Sequence, residues 1–145
     1  MKRSSIALTL GALLVATGCG GKSSTTSTSA KSPARKEACV FALEARGNYR
    51  HALVELGLRF FNKKRDEAAL AAVRQFQGQL QRVIDMSSGT QKAQLEKLKA
   101  ALAQHERLLL AFSAHNLAAA KRESAGLDAA LNESLPAFER ICRQA

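Results

Sequence analysis

The sequence predicts an all-α fold, an up-down-up-down four-helix bundle that follows a disordered tether, and three observations carry that expectation. Between Ala38 and the C-terminus, Pro136 is the one proline. Apolar residues in that stretch recur at spacings of three and four, the period of a helix buried along one face and not of a strand. Polar or glycine-containing breaks divide it into runs of about 21 to 28 residues, each roughly 32 to 42 Å long at 1.5 Å per residue. Runs of that length joined by short loops return as antiparallel neighbours.

The first helix is expected over about 38–62. Val40, Leu43, Gly47, His51, Val54, Leu58 and Phe61 form one stripe along it, and Tyr49, Leu53, Leu56 and Phe60 form a second beside it. Glu44, Asn48, Glu55 and Arg59 occupy the opposite arc, so this helix should touch two neighbours and show water one side. Lys63, Lys64 and Arg65 read as a short polar break. The second helix, over about 66–86, carries Leu70, Val73, Phe76 or Gln77, Leu80, Val83 and Ile84 as a narrower heptad-like seam. Ser87-Ser88-Gly89-Thr90 ends it, because glycine supports a C-terminal turn and Ser or Thr can cap the helix that follows.

The third helix, over about 91–112, places Leu95, Leu98, Leu102, His105, Leu109 and Phe112 on one face. Beyond it the apolar frame slips by one residue, to Leu117, Ala120, Ser124, Leu127, Leu131, Leu135, Phe138 and Ile141 or Cys142. A continuous helix would keep its frame, which puts a turn at Ser113-Ala114-His115-Asn116, where Ser and Asn can cap. Pro136 is expected to kink the fourth helix, or to restart it with Ser134 as cap, since the ring removes one internal hydrogen bond.

The chain carries 22 Lys and Arg against 12 Asp and Glu, a formal charge of +10. It has one Tyr, six Phe and no Trp, too few aromatic platforms to stack on sugars or splayed bases. Nucleic acid is therefore not an expected partner. An anionic envelope polymer or an acidic protein suits the charge better.

Upstream of the bundle, Lys2 and Arg3 precede an apolar run from Ile6 to Ala16, and small residues lead into Cys19 in the stretch Ala16-Thr17-Gly18-Cys19. This pattern resembles the signal of a bacterial lipoprotein, with Ala16 standing where that family usually carries Leu. The resemblance covers residues 1–19. It implies a diacylglyceryl thioether on Cys19, removal of residues 1–18, and attachment to the cell membrane on its extracytoplasmic side, or to an outer membrane in an organism that has one. The apolar run, about eleven residues, is too short to span a bilayer, so attachment would depend on the lipid. Gly20 to Ser32 contains no hydrophobic residue larger than alanine and cannot bury a core. As a flexible coil, a tether of about 18 residues reaches on average roughly 20 to 25 Å. The expected organisation is a signal at 1–18, a lipidated cysteine and tether at 19–37, and the bundle at 38–145.

Lipid on Cys19 would leave Cys39 and Cys142 as an even pair in an oxidising compartment, where a disulfide is expected. The antiparallel topology brings the start of the first helix and the end of the fourth to one end, which is where these cysteines lie.

Candidate sites are few. His51 and His105 interrupt apolar stripes near the middle of parallel helices, and two imidazoles in one layer of a bundle could hold zinc, copper or haem iron. No carboxylate-x-x-His pair, no Cys-x-x-Cys-His and no helix-one methionine accompanies them, so the expectation is histidines hydrogen-bonded at the core boundary, with no metal and no cofactor. Arg46 and Arg50 fall inside the apolar arc of the first helix, placed either to clamp an anion or to pair with acids of a neighbouring helix. At the end opposite the cysteines, Arg59, Lys63, Lys64, Arg65, His115, Lys121 and Arg122 should gather into a basic tip, offset by Asp66, Glu67 and Glu123. That tip is the candidate surface for an anionic partner. No nucleophile, base and oxyanion group can be assembled, and enzymatic activity is not expected. A binding or adaptor role in the envelope follows, with a ligand-binding bundle or a self-associating subunit as the alternatives.

Overall fold

The computed structural model of this chain describes residues 32–58 and 63–145, and of residues 57, 58 and 63–65 the backbone alone. Residues 1–31, where the signal, the lipidated Cys19 and the tether are expected, and residues 59–62, with Arg59, Phe60 and Phe61, lie outside the described residues. Helix α1 is Pro33–Leu58, α2 is Lys63–Asp85, α3 is Gly89–Ser113, α4 is Leu117–Ser124 and α5 is Leu127–Arg143. Among the described residues there is no strand. The fold is all-α, an up-down-up-down bundle whose fourth arm is divided into α4 and α5. Helix α1 lies on α2, α2 on α3, and α3 on both halves of the fourth arm, while α1 meets α5 over a thinner contact.

Three helices begin earlier than the pattern of apolar residues predicts, α3 by only two residues, at Gly89. Helix α1 opens at Pro33, five residues before the expected Ala38, and the backbone N–H groups of Arg35 and Lys36 donate to the Ser32 carbonyl at 2.9 and 3.1 Å. A proline in the first turn costs nothing there, because its missing N–H would have no helical acceptor. Helix α2 opens at Lys63, so Lys63-Lys64-Arg65 is its first turn and not a break. Lysine and arginine are good helix formers, and polarity alone does not end a helix.

The turn at 113–116 is where the frame slip predicts it. His115 takes a left-handed φ of 54°, and the Asn116 side chain accepts from the Ala119 N–H at 3.0 Å, capping α4. A further break, unanticipated, falls at Ala125-Gly126, with Gly126 at φ 73°. The α3 side chain Gln104 donates to the freed carbonyls of Glu123 and Ala125 at 2.7 and 3.1 Å, and Arg107 pairs with Glu123 at 2.9 Å. Pro136 accordingly neither starts nor ends a helix. It sits inside α5, with Ser134 buried beside it and not acting as a cap.

The seams of α2, α3 and α5 are buried largely as predicted, with Val73, Phe76, Leu80, Leu95, Leu98, Leu102 and Phe138 fully enclosed. Helix α1 is different. Its buried face is Ala38, Cys39, Ala42, Ala45 and Tyr49, flanked by half-buried Ala52, Leu53 and Leu56. The stripe built on Val40, Gly47, His51 and Val54 is exposed, Val40 at 57% and Val54 at 52%. Alanines let the α1 backbone approach α2 closely, and that dispersion contact outweighs burying a few larger side chains on the other face.

In the middle of the bundle each arm contributes one ring. Tyr49 of α1 lies 5.8 Å from Phe76 of α2 and 5.6 Å from His105 of α3, and Phe76 lies 5.4 Å from Phe138 of α5, centroid to centroid. One end of the bundle is closed by the disulfide between Cys39 and Cys142, whose Cα atoms are 5.2 Å apart across a sequence separation of 103. That spacing is in the ordinary range for a cystine.

Closing a loop of that size constrains the unfolded chain, so Cys39→Ser with Cys142→Ser should cost about 4 to 5 kcal/mol in the chain-entropy account. Chemical denaturation of the double variant against the parent measures it, and helical circular dichroism should survive. Gly126→Ala forces a Cβ into the left-handed region and should cost about 1 to 2 kcal/mol, read from the same denaturation midpoint.

Candidate functional site

Where α1 and α5 part, a cleft of about 260 Å³ opens, lined by Arg46, Tyr49, Arg50, Leu53, Asp128, Leu131, Asn132 and Leu135. The helical spacing of four between Arg46 and Arg50 sets both guanidiniums along the edge of α1 that faces α5. They have different fates. Arg46 forms an ion pair with Glu139, both side chains about one-quarter exposed, and Glu139 also receives Arg143 one turn on at 3.3 Å. Arg50 is exposed and has no ion-pair partner among the described residues. Of the two roles open to these arginines, Arg46 thus takes the pairing role and Arg50 stays available at the rim, across the cleft from Asp128.

Beneath the cleft the Tyr49 hydroxyl meets His105 Nδ1 at 2.6 Å in the buried core. Burial pushes the Tyr49 phenol well above its ordinary range, and the Asp128 carboxylate pushes it further the same way. Burial likewise lowers the His105 imidazole, with Asp128 partly opposing. Both groups are therefore neutral at physiological pH. The arrangement that leaves no buried O–H without an acceptor has the phenol donating to Nδ1 and the ring proton on Nε2. His105 is the hydrogen-bonded histidine the sequence suggests, but Tyr49 is its partner, which periodicity alone did not indicate. His51 points to solvent from the opposite face of α1, so the two histidines do not share a core layer. Among the described residues no group of three or more His, Cys, Asp or Glu could hold a metal ion.

At the end away from the disulfide, a larger hollow of about 500 Å³ is lined by Asp66, Glu67, Leu70, Leu110, Phe112, Ser113 and His115. Of the residues expected to form a basic tip, only some are described with their side chains. Arg59 lies outside the described residues, and Lys63, Lys64 and Arg65 are placed as the first turn of α2 without their side chains. His115 is exposed at the α3–α4 turn and Lys121 and Arg122 are exposed in the last turn of α4, and none has an ion-pair partner among the described residues. The hollow, which His115 alone of these three lines, carries two carboxylates and an apolar wall in which Leu110 is 43% and Phe112 is 39% exposed. The tip is amphiphilic and of mixed charge, because the helix that starts with Lys63 also brings Asp66 and Glu67 to its first turns.

Along the outside of the bundle, Arg74 of α2 and Glu106 of α3 pair at 2.7 Å, with Gln77 donating to the same carboxylate at 3.0 Å. The Arg74 hydrogen bond, more than anything else, holds Glu106 below the usual carboxylate range. No family model, no curated protein and no solved structure matches this chain, so its residues carry the functional argument alone.

A histidine held below its unfolded pKa stabilises the fold when neutral. The unfolded chain binds that proton first, so stability should be level above about pH 7 and fall as pH drops below about 6.5. Urea midpoints at pH 7.5 and 5.5 test this. His105→Gln, which still offers Tyr49 an acceptor but does not titrate, should flatten the difference between them.

Proposed function

We propose that this chain is a lipid-anchored lipoprotein of the bacterial envelope whose helical bundle works by binding and has no catalytic role. Lipidated Cys19 holds it to the extracytoplasmic face of a membrane, and the bundle presents the end furthest from the anchor to an anionic wall polymer or an acidic protein. The observation that carries this reading is the polarity of the molecule. The chain enters the bundle at Pro33, less than two turns before Cys39 at the disulfide end, while the α3–α4 turn at the other end bears exposed His115 beside the apolar wall of Leu110 and Phe112, with exposed Lys121 and Arg122 following in the last turn of α4. A surface of apolar centre and charged rim is the usual anatomy of a recognition patch, and its cations steer an anionic partner in a salt-dependent way.

The resemblance at residues 16–19 supports the anchor, and the two readings are tested separately. Growth with labelled palmitate should label the parent chain and leave Cys19→Ser unlabelled; label persisting in the variant sinks the anchor. Retention of envelope components by the purified mature chain should fall at least roughly tenfold, about 1.4 kcal/mol, when Lys121→Glu and Arg122→Glu are combined with Lys63→Glu and Lys64→Glu. Equal retention moves recognition away from this tip.

A further inference from the structure

The exposed face of α1 carries a pattern that nothing inside the monomer explains. Val40, Leu43, Gly47, His51 and Val54 follow one another at spacings of three, four, four and three, so the stripe reads the same in both directions from Gly47. Apart from half-buried Leu43, all of them are exposed. Gly47 sits mid-helix, where glycine is worse than alanine by roughly 1 kcal/mol, and a Cβ added there would meet no atom within 4 Å. The fold of one chain therefore gives no reason for the missing side chain.

We infer that this face is a two-fold interface, and that its occupant is a second copy of the same chain, laid antiparallel across Gly47. An isologous contact requires a surface that is complementary to itself under a half-turn, which a palindromic stripe supplies. In that register Val40 of one copy lies against Val54 of the other, Leu43 against His51, and the two Gly47 backbones cross where a side chain would hold them apart. Charge agrees with shape. At 100° per residue Glu44 and His51 lie on the same flank of the stripe, and a half-turn brings each Glu44 level with His51 of the other copy, so that an imidazole N–H donates to a carboxylate twice per interface. On the other flank the Arg50 stem covers Leu43 of the other copy. Within one chain Glu44 and His51 are seven residues apart on the exposed face of α1 and form no hydrogen bond or ion pair with each other.

A seam of about four turns is smaller than a standard interface of roughly 800 Å² per partner, so the dimer is weak, with a dissociation constant on the order of micromolar or above. Attachment of both copies to one membrane would raise their effective concentration and favour it, but the interface itself does not depend on the anchor.

Sedimentation velocity of the mature chain carrying Cys19→Ser, over a concentration series to high micromolar, tests it free of lipid. A reversible monomer–dimer equilibrium is expected. Val54→Asp should leave only monomer with an unchanged thermal midpoint, whereas Leu117→Asp, at an exposed leucine on α4, should leave the dimer intact. Glu44→Lys and His51→Glu should each weaken association at least roughly fivefold, about 1 kcal/mol, and the double swap should restore it, because only an antiparallel partner reunites the exchanged charges. A chain that is monomeric throughout overturns the inference. So does a dimer lost with Leu117→Asp but not Val54→Asp, or a double swap no better than its single parents.

Discussion

The hydrogen bond between Tyr49 and His105 is the contact on which the rest of this bundle depends. It joins α1 to α3, helices on opposite corners, through the buried centre of the molecule. Apolar packing alone is forgiving about rotation, since one leucine serves nearly as well as the next. A buried phenol is not, because losing its acceptor strands a polar group at about 1 to 3 kcal/mol. Rotating α1 by a single residue would break that bond and slide Tyr49 off Phe76. The pair therefore sets the angle at which α1 enters the bundle, and Phe76 and Phe138 carry the same register to α2 and α5.

Everything exposed on α1 follows from that angle. With Tyr49, Ala42 and Ala45 turned inward, Arg46 and Arg50 fall on the edge facing α5, where one meets Glu139 and the other rims the cleft. The opposite arc then turns Val40, Gly47, His51 and Val54 to solvent. Burying these valines on the same chain would require giving up the alanine contact with α2, and a helix of this diameter cannot do both. The exposed stripe is thus a consequence of a satisfied core, and its two-fold pattern gives it a use.

The fourth arm is held by a different device. A single long helix would have to bury Leu117 and Phe138 on one straight face, whereas Gly126 permits a left-handed residue that divides the arm and leaves Leu117 71% exposed. The carbonyls released at the break are taken by Gln104 from α3, so the interruption stays hydrogen-bonded. The same interruption places Lys121 and Arg122 on a short helix whose basic last turn is exposed.

Helical periodicity determined from the sequence by itself the all-α class, the antiparallel order of the arms, the seams of α2 and α3, the turn at His115-Asn116, and the meeting of Cys39 with Cys142, because spacing and chain length are local properties. Gly126 was a legible signal for the second break, masked by an apolar frame that continues through it. What the sequence could not determine was that, of the two α1 stripes expected to be buried, only the one carrying Tyr49, Leu53 and Leu56 goes inside, widened by Ala38, Ala42 and Ala45. Val40, Val54 and Leu58 look more hydrophobic than Ala38, Ala42 and Ala45, and a reading by side-chain size favours them. Only the tertiary structure could choose the alanines, since the gain comes from how closely two backbones approach and from Tyr49 finding His105, and both depend on residues more than twenty positions away along the chain.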